Sequence, residues 1–398
     1  MITEKLRSIY KKINVNTVHG STEEKMPYLA QKKYLKKLPD PKDDFQRSFL
    51  KYKCFCEYCY YKKKWLVFIY NIGAMFMLPL EYARLKKRRK SARFIKKYDA
   101  VVENVPNLPN DDFIPDELTK NKSIKNIEEI DYSSSFLSKE AEKICKELKK
   151  KYFFYFYFRM IVTQKLALFS NYLKCYNPDV IAFYSCEREF TGPLQSLLCE
   201  KNNVKYVSFM HGDYISTLCF AYQRFSKYYV WDKSYVRMFN SLKCSSPMVI
   251  YTPKKFVKNP SKVSNENCEY YASYYFSDET ESEMRKIKKV FDVFQNMGLK
   301  TKVRPHPRFS DIPLMKKIFK DITIEDTANY SLEDSIRDSR YIVGLCTTVL
   351  SEAYFSNKEI VIDNISNKKK YRELNERHYI MMKRPHTLLS DLIKYTNS

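Results

Sequence analysis

The hydrophobic pattern changes character near the middle of the chain. From Asn177 onward, short apolar runs alternate with polar loops and amphipathic stretches, which implies strand, loop and helix units feeding a parallel sheet. Residues 179–184 read as a strand, 185–192 as a loop, and 193–202 as a helix opened by a proline in its first turn. A second strand at 204–209 ends at Met210-His211-Gly212-Asp213-Tyr214, with a further strand at 225–232 and a helix at 233–242. A second such block follows: strands at 268–276 and 299–304, a helix at 281–296, and a short helix at 331–336 capped by Ser331 with Asp334 three on. It closes with strands at 341–344 and 360–363 and a mostly helical end, 368–395, expected to pack back across the domains.

Upstream the pattern is less regular. Residues 138–173 read as helix in two pieces divided by the aromatic run 152–158, most of which is expected in the core. Residues 94–105 supply a candidate strand, and 104–116, with three prolines, a loop that could act as a lid. Residues 65–80 form the one strongly apolar run, expected as a buried strand and helix. Its sixteen residues fall short of the ~20 that span a bilayer, and Asn71 and Gly73 interrupt it. Lysines before it and the cluster at 86–90 after it give a second expectation, peripheral contact with anionic lipid. The first 50 residues carry no motif, and the N-terminus lacks the apolar core and cleavage site of a signal peptide.

A chain of 398 residues exceeds what one core organises, so two domains are expected: residues 1–250 and 268–398, joined by a basic, proline-containing linker at 251–267. The formal charge of +25 implies an anionic partner, whether nucleic acid, a lipid surface or acidic substrates. Eleven cysteines without regular spacing argue for thiols in a reducing cytoplasm rather than a disulfide framework. Cys54, Cys56 and Cys59 suggest a metal, but no second cluster of Cys or His completes a zinc set.

Chemistry concentrates at residues 302–362. Arg304-Pro305-His306-Pro307-Arg308 follows one apolar strand, and Gly344-Leu345-Cys346-Thr347-Thr348 follows another, with Glu352 a helical turn beyond. A histidine held between prolines loses little entropy on being aimed, and the arginines add bidentate phosphate contacts. Two strand ends, one cationic and one bearing hydroxyls, describe a nucleotide-phosphate site. Only six glycines occur, so each is expected where the backbone needs unusual dihedrals or close approach, Gly192, Gly212 and Gly344 among them. No glycine-rich dinucleotide fingerprint or P-loop is present. For a base that activates an acceptor hydroxyl, Glu187, Glu189, Asp213 and His211 stand at strand ends, and the sequence leaves the choice open.

On these residues the chain resembles bacterial surface-polysaccharide glycosyltransferases, especially the sialyltransferase and capsule polysialyltransferase group. That group uses a His-Pro pair and a later Ser/Thr pair on the phosphate of a CMP-sugar, matched here by His306-Pro307 and Thr347-Thr348. Its acidic base motif has the counterpart Cys186-Glu187-Arg188-Glu189-Phe190, which departs from the pattern in lacking the usual glycine; within it Glu187 is favoured as the base, with Glu189 close behind. His211-Gly212 with His306-Pro307 also looks like the polyol-phosphate transferases of teichoic acid synthesis, where the first His is the base. Both resemblances cover residues 179–363.

The resemblance implies an α/β fold of the GT-B type, two Rossmann-like domains facing across a cleft. The expected function is inverting transfer of sialic acid, or a related acidic keto-sugar, from a CMP donor to a saccharide hydroxyl in capsule, lipooligosaccharide or other surface glycan synthesis. Transfer of an alditol phosphate from a CDP donor is the alternative. The expected partners are the nucleotide-sugar, an anionic or lipid-linked glycan and the inner face of the cell membrane, with no metal or other cofactor. A basic nucleic-acid-binding protein is a third reading, which leaves the His-Pro and threonine loops unexplained.

Overall fold

The computed structural model describes residues 26–103, 113–127, 132–184, 186–257 and 268–397. Most of the candidate lid, 104–112 of 104–116, and most of the expected linker, 258–267, lie outside these residues. Contacts divide the chain into two units. The first comprises the residues up to His211 together with Ser216–Tyr251, and the second Gly212–Ile215 with Thr252 onward.

Each unit is built on six parallel strands. The first sheet contains β1 (Ala100–Glu103), β2 (Ile124–Ile127), β3 (Val180–Tyr184), β4 (Lys205–Phe209), β5 (Lys227–Val230) and β6 (Met248–Ile250), in the order β2-β1-β3-β4-β5-β6. The second contains β7 (Tyr270–Tyr275), β8 (Thr301–Arg304), β9 (Thr323–Ile324), β10 (Ser339–Gly344), β11 (Glu359–Ile362) and β12 (Thr387–Leu388), ordered β12-β11-β10-β7-β8-β9. Strands covered on both faces read as continuous apolar runs, which is why β3, β4, β7 and β10 stand out in the sequence. The helices fall where periodicity and capping put them. Pro193 opens Gly192–Glu200, Ser138 caps Lys139–Lys151, and Thr280 with Glu283 forms a capping box on Glu281–Asn296. The expected fold class, α/β with two Rossmann-like units, is what the chain adopts.

Core packing in the second unit sets Val303, Val343 and Val361 of the sheet against Phe291 and Phe294. Leu389 and Leu392 of the last helix belong to that same core, and β12 pairs with β11. In the aromatic run, Tyr157 and Phe158 are buried as expected, whereas Phe153, Phe154 and Tyr155 are exposed. All eleven cysteines are thiols. Among the described residues no group of three or more His, Cys, Asp or Glu is placed to hold a metal ion.

The main departure concerns residues 65–80. Instead of a buried strand and helix they form the bulk of one helix, Lys64–Arg88, which buries only Ala74, Leu78 and Leu85. By length and composition this helix could cross a membrane. Asn71 ties it to the helix Phe156–Tyr176, accepting from the Tyr157 N–H at 3.1 Å and donating to the Phe154 carbonyl at 2.8 Å. At its far end Lys86 and Arg89 pair with Glu142.

Candidate active site

The second sheet starts at β7 near its centre, moves out through β8 and β9, and returns to β10 on the opposite side of β7. At such a reversal the loops beyond adjacent strand ends diverge, and open α/β sheets bind ligands there. The segments leaving β7, β8 and β10 are Phe276-Ser277-Asp278-Glu279, Pro305-His306-Pro307-Arg308 and Leu345-Cys346-Thr347-Thr348.

His306 is half-buried and its ring stacks on Phe309, with centroids 4.5 Å apart. Its Nδ1 accepts the Arg308 backbone N–H at 3.0 Å, so in the neutral ring the proton sits on Nε2. Burial and the Arg308 guanidinium hold the pKa below the ordinary histidine value, against an opposing pull from the Asp278 carboxylate. The backbone N–H of His306 donates to Ser310 Oγ at 2.8 Å, which closes the turn. The result is a neutral N–H donor on a stiff, partly open loop.

Thr347 and Thr348 are half-buried, and Thr348, the residue before the helix Val349–Phe355, makes no side-chain capping bond. Gly344 explains how this loop folds back on its strand. A Cβ there would meet Thr347 Cγ2 at 3.0 Å and the Tyr275 carbonyl at 3.4 Å. The other glycines invoked as site markers have no such reason. Gly212 has open space around a Cβ, and Gly192 meets only an ordinary contact. Glu352 lies half-buried in the first turn of the helix.

Asp213, in the short segment grouped with this unit, accepts the Ser351 hydroxyl at 2.7 Å. Cys346, whose pKa burial raises to about 11, also feels Lys370, Asp213 and Asp278. Asp278 in turn pairs with Lys370 at 2.6 Å. His306 and Cys346 thus share one electrostatic neighbour, Asp278, whose charge acts on both the histidine loop and the threonine loop. Glu279 stands beside it, its pKa pushed up to about 7 by burial, with Oε1 lacking a hydrogen-bond partner.

Arg304 is placed differently from the expected phosphate ligand. It is buried, pairs with Glu325 at 2.8 Å and donates to the Tyr330 carbonyl at 2.9 Å. Side chains two apart on a strand share a face, so Lys302 reaches the same Glu325. Exposed Arg308 is the arginine of the motif left beside the imidazole.

In the first sheet the order reverses between β1 and β3. Glu187 is fully buried: Tyr228 donates to its Oε1 at 3.0 Å, and Ser208 approaches at 3.5 Å. This differs from the open position a base needs. Glu189 forms an ion pair with Lys165. His211 packs edge-on against Tyr184, and burial with the Arg188 charge lowers its pKa to about 4.

Sequence reasoning passed over Glu103, the last residue of β1, whose pKa burial and the Glu189 charge raise to about 8. The fold favours its protonated form, so Glu103 stabilises below the ordinary carboxyl range of about 4.3 and that stability is lost as pH rises through about 8. Glu103→Gln should therefore stabilise the protein by about 2 kcal/mol or more above its folded-state pKa and leave it unchanged in acid. Urea midpoints measured at both pH values check this, and equal effects at the two would remove the assignment. Asp278, Glu279 and Lys370 were also missed, although the first two follow a strand end, where the sheet rule directs attention.

No protein-family model matches the chain, and no curated protein matches it. Among solved structures it is similar to S. aureus MnaA with UDP (TM-score 0.43, 12% identity, 73% of this chain and 92% of that one). It is also similar to the Methanocaldococcus jannaschii UDP-GlcNAc 2-epimerase with UDP-GlcNAc and UDP (TM-score 0.42, 12% identity, 76% and 92%). A variant of the wall teichoic acid polymerase TagF aligns at TM-score 0.41 and 12% identity, over 83% of this chain and 88% of that one.

Proposed function

We propose that the chain is an inverting glycosyltransferase that takes a nucleotide-activated sugar as donor, with CMP-sialic acid or a related acidic keto-sugar as the substrate and a surface saccharide hydroxyl as acceptor. The observation that carries this is the neutral His306 ring, its Nε2–H on a proline-flanked turn, set at the strand-order reversal with the Thr347-Thr348 loop. The acceptor oxygen attacks the anomeric carbon, the bond from that carbon to the phosphate oxygen breaks, and its electron pair leaves with CMP. His306, Arg308 and the threonine hydroxyls stabilise the charge that grows on that oxygen. The acceptor proton passes to a carboxylate, for which Asp213 is the choice. Of the four candidates it is the one grouped with the His306 and threonine loops, and Ser351 holds it. No metal or other cofactor enters this scheme, because side chains supply the donors. The net charge of +25 suits an anionic or lipid-linked glycan.

A second reading, transfer of an alditol phosphate from a CDP donor, is favoured by His211, a neutral imidazole at the end of β4. Incubation with CMP-sialic acid, CMP-Kdo, CDP-glycerol and CDP-ribitol, scoring CMP release, separates the two. Release from a CMP-sugar supports the first reading, and preference for a CDP donor overturns it. Asp213→Asn should lower kcat by about a hundredfold with donor affinity retained. An unchanged kcat would remove the base role.

A further inference from the structure

The helix Lys64–Arg88 carries apolar side chains on two opposite faces. At 100° per residue, Ala74, Leu78 and Leu85 fall on one side, and these are the residues it buries. Trp65, Phe68, Ile69, Ile72, Phe76 and Leu80 fall on the other, recurring at three- and four-residue spacing, and all are exposed. The exposure is large: Phe68 67%, Phe76 66% and Leu80 74%. Scattered surface hydrophobes need no explanation, but a continuous stripe of this size marks an interaction surface. Asn71 anchors the stripe to the loop carrying Phe153 and Phe154, which are 48% and 74% exposed. Cations bracket it. Lys62, Lys63 and Lys64 are exposed at one end and Lys86 and Lys87 at the other, while Lys149 sits over the Phe153 ring.

We propose that this stripe, with Phe153 and Phe154, docks the protein on an anionic lipid bilayer, the helix lying in the plane of the membrane surface rather than crossing it. The basic residues at both ends match lipid headgroups, and the tryptophan and phenylalanines match the interfacial zone. Two observations set the orientation. The apolar stretch from Trp65 to Leu80 is about 24 Å long at ~1.5 Å per residue, shorter than the ~30 Å hydrocarbon core. Its opposite face is held to the body of the protein through Ala74, Leu78 and the Asn71 bonds.

The chain has two tryptophans, and Trp231 is buried, so Trp231→Phe leaves Trp65 as a reporter on the docking face. Adding vesicles of phosphatidylcholine with phosphatidylglycerol should shift Trp65 emission to the blue. Lipids brominated near the headgroup should quench it more than lipids brominated at the chain ends. Vesicles of phosphatidylcholine alone should bind at least about tenfold more weakly. In full-length protein, Phe68→Glu with Phe76→Glu and Leu80→Glu should weaken co-sedimentation by about a hundredfold or more with the circular dichroism unchanged. Absence of vesicle binding, or binding indifferent to the three substitutions, overturns the proposal. A tryptophan at the middle of the stretch, Ile72→Trp with Trp65→Phe and Trp231→Phe, quenched most strongly by lipids brominated at the chain ends would show a spanning helix instead and also overturns the proposal. Self-association without lipid that the same substitutions abolish would assign the face to a second copy of the chain, and also overturns it.

Discussion

His306→Ala should cut turnover with the nucleotide donor by about a hundredfold or more while the protein stays folded. Removing one preorganised donor from a developing oxyanion costs on the order of 3 kcal/mol, or two decades in rate. The fold loses far less. The ring is half-buried, and its one internal bond, from the Arg308 N–H, is worth about 1 kcal/mol. His306→Gln, which keeps an N–H at comparable reach, should recover part of the loss. Because burial and Arg308 depress the imidazole pKa, the ring stays neutral to lower pH than an ordinary histidine does, and donor affinity should hold constant into that lower range. Below the depressed pKa, protonation of Nδ1 ends the bond from Arg308 and affinity should change. Steady-state kinetics across pH on both variants checks this. Full turnover in the alanine variant would end the phosphate role.

Lys51→Met should destabilise the protein by about 3 kcal/mol or more. Lys51 is fully buried in the helix Asp44–Cys59, and its ammonium donates to the carbonyls of Glu187, Cys219 and Ala221 at 2.6, 2.9 and 3.2 Å. An ammonium has three protons to give, so each carbonyl receives one. Methionine fills similar space and leaves three buried acceptors unmatched, each costing ~1 kcal/mol or more. Urea denaturation at unchanged slope should report the loss. A midpoint equal to that of the native protein would show that those carbonyls find other partners. The effect should extend to the turn at Cys186-Glu187-Arg188, which Lys51 ties to the segment around Cys219.

The two sheets were legible because strands covered on both faces must be apolar throughout, and because proline, serine and threonine mark the helix starts between them. β2, Ile-Lys-Asn-Ile, and β6, three half-buried or exposed residues, lack that continuity and were not anticipated. The run at 65–80 shows a limit of another kind. Apolarity says that a segment avoids water, and does not say whether protein or lipid covers it. The histidine and threonine turns were found because proline and glycine constrain them visibly. Asp278, Glu279 and Lys370 were not, since an isolated charge in a loop has no pattern until the sheet places it. Arg304 and Glu187 both have partners in the interior, for a shared reason. At a strand end one side chain points outward and the next inward, and the sequence does not say which charges the interior has matched, as Glu325 matches Arg304 and Tyr228 meets Glu187.

The four residues Gly212–Ile215 belong with a body whose remaining chain starts at Thr252. The second unit is therefore discontinuous in sequence, so cleavage after Tyr251 would yield a C-terminal fragment without the carboxylate that Ser351 meets. Expressing the halves separately would break the contact between Asp213 and Ser351. A linker carrying Gly212–Ile215 grafted onto the fragment would be the smallest piece that restores it.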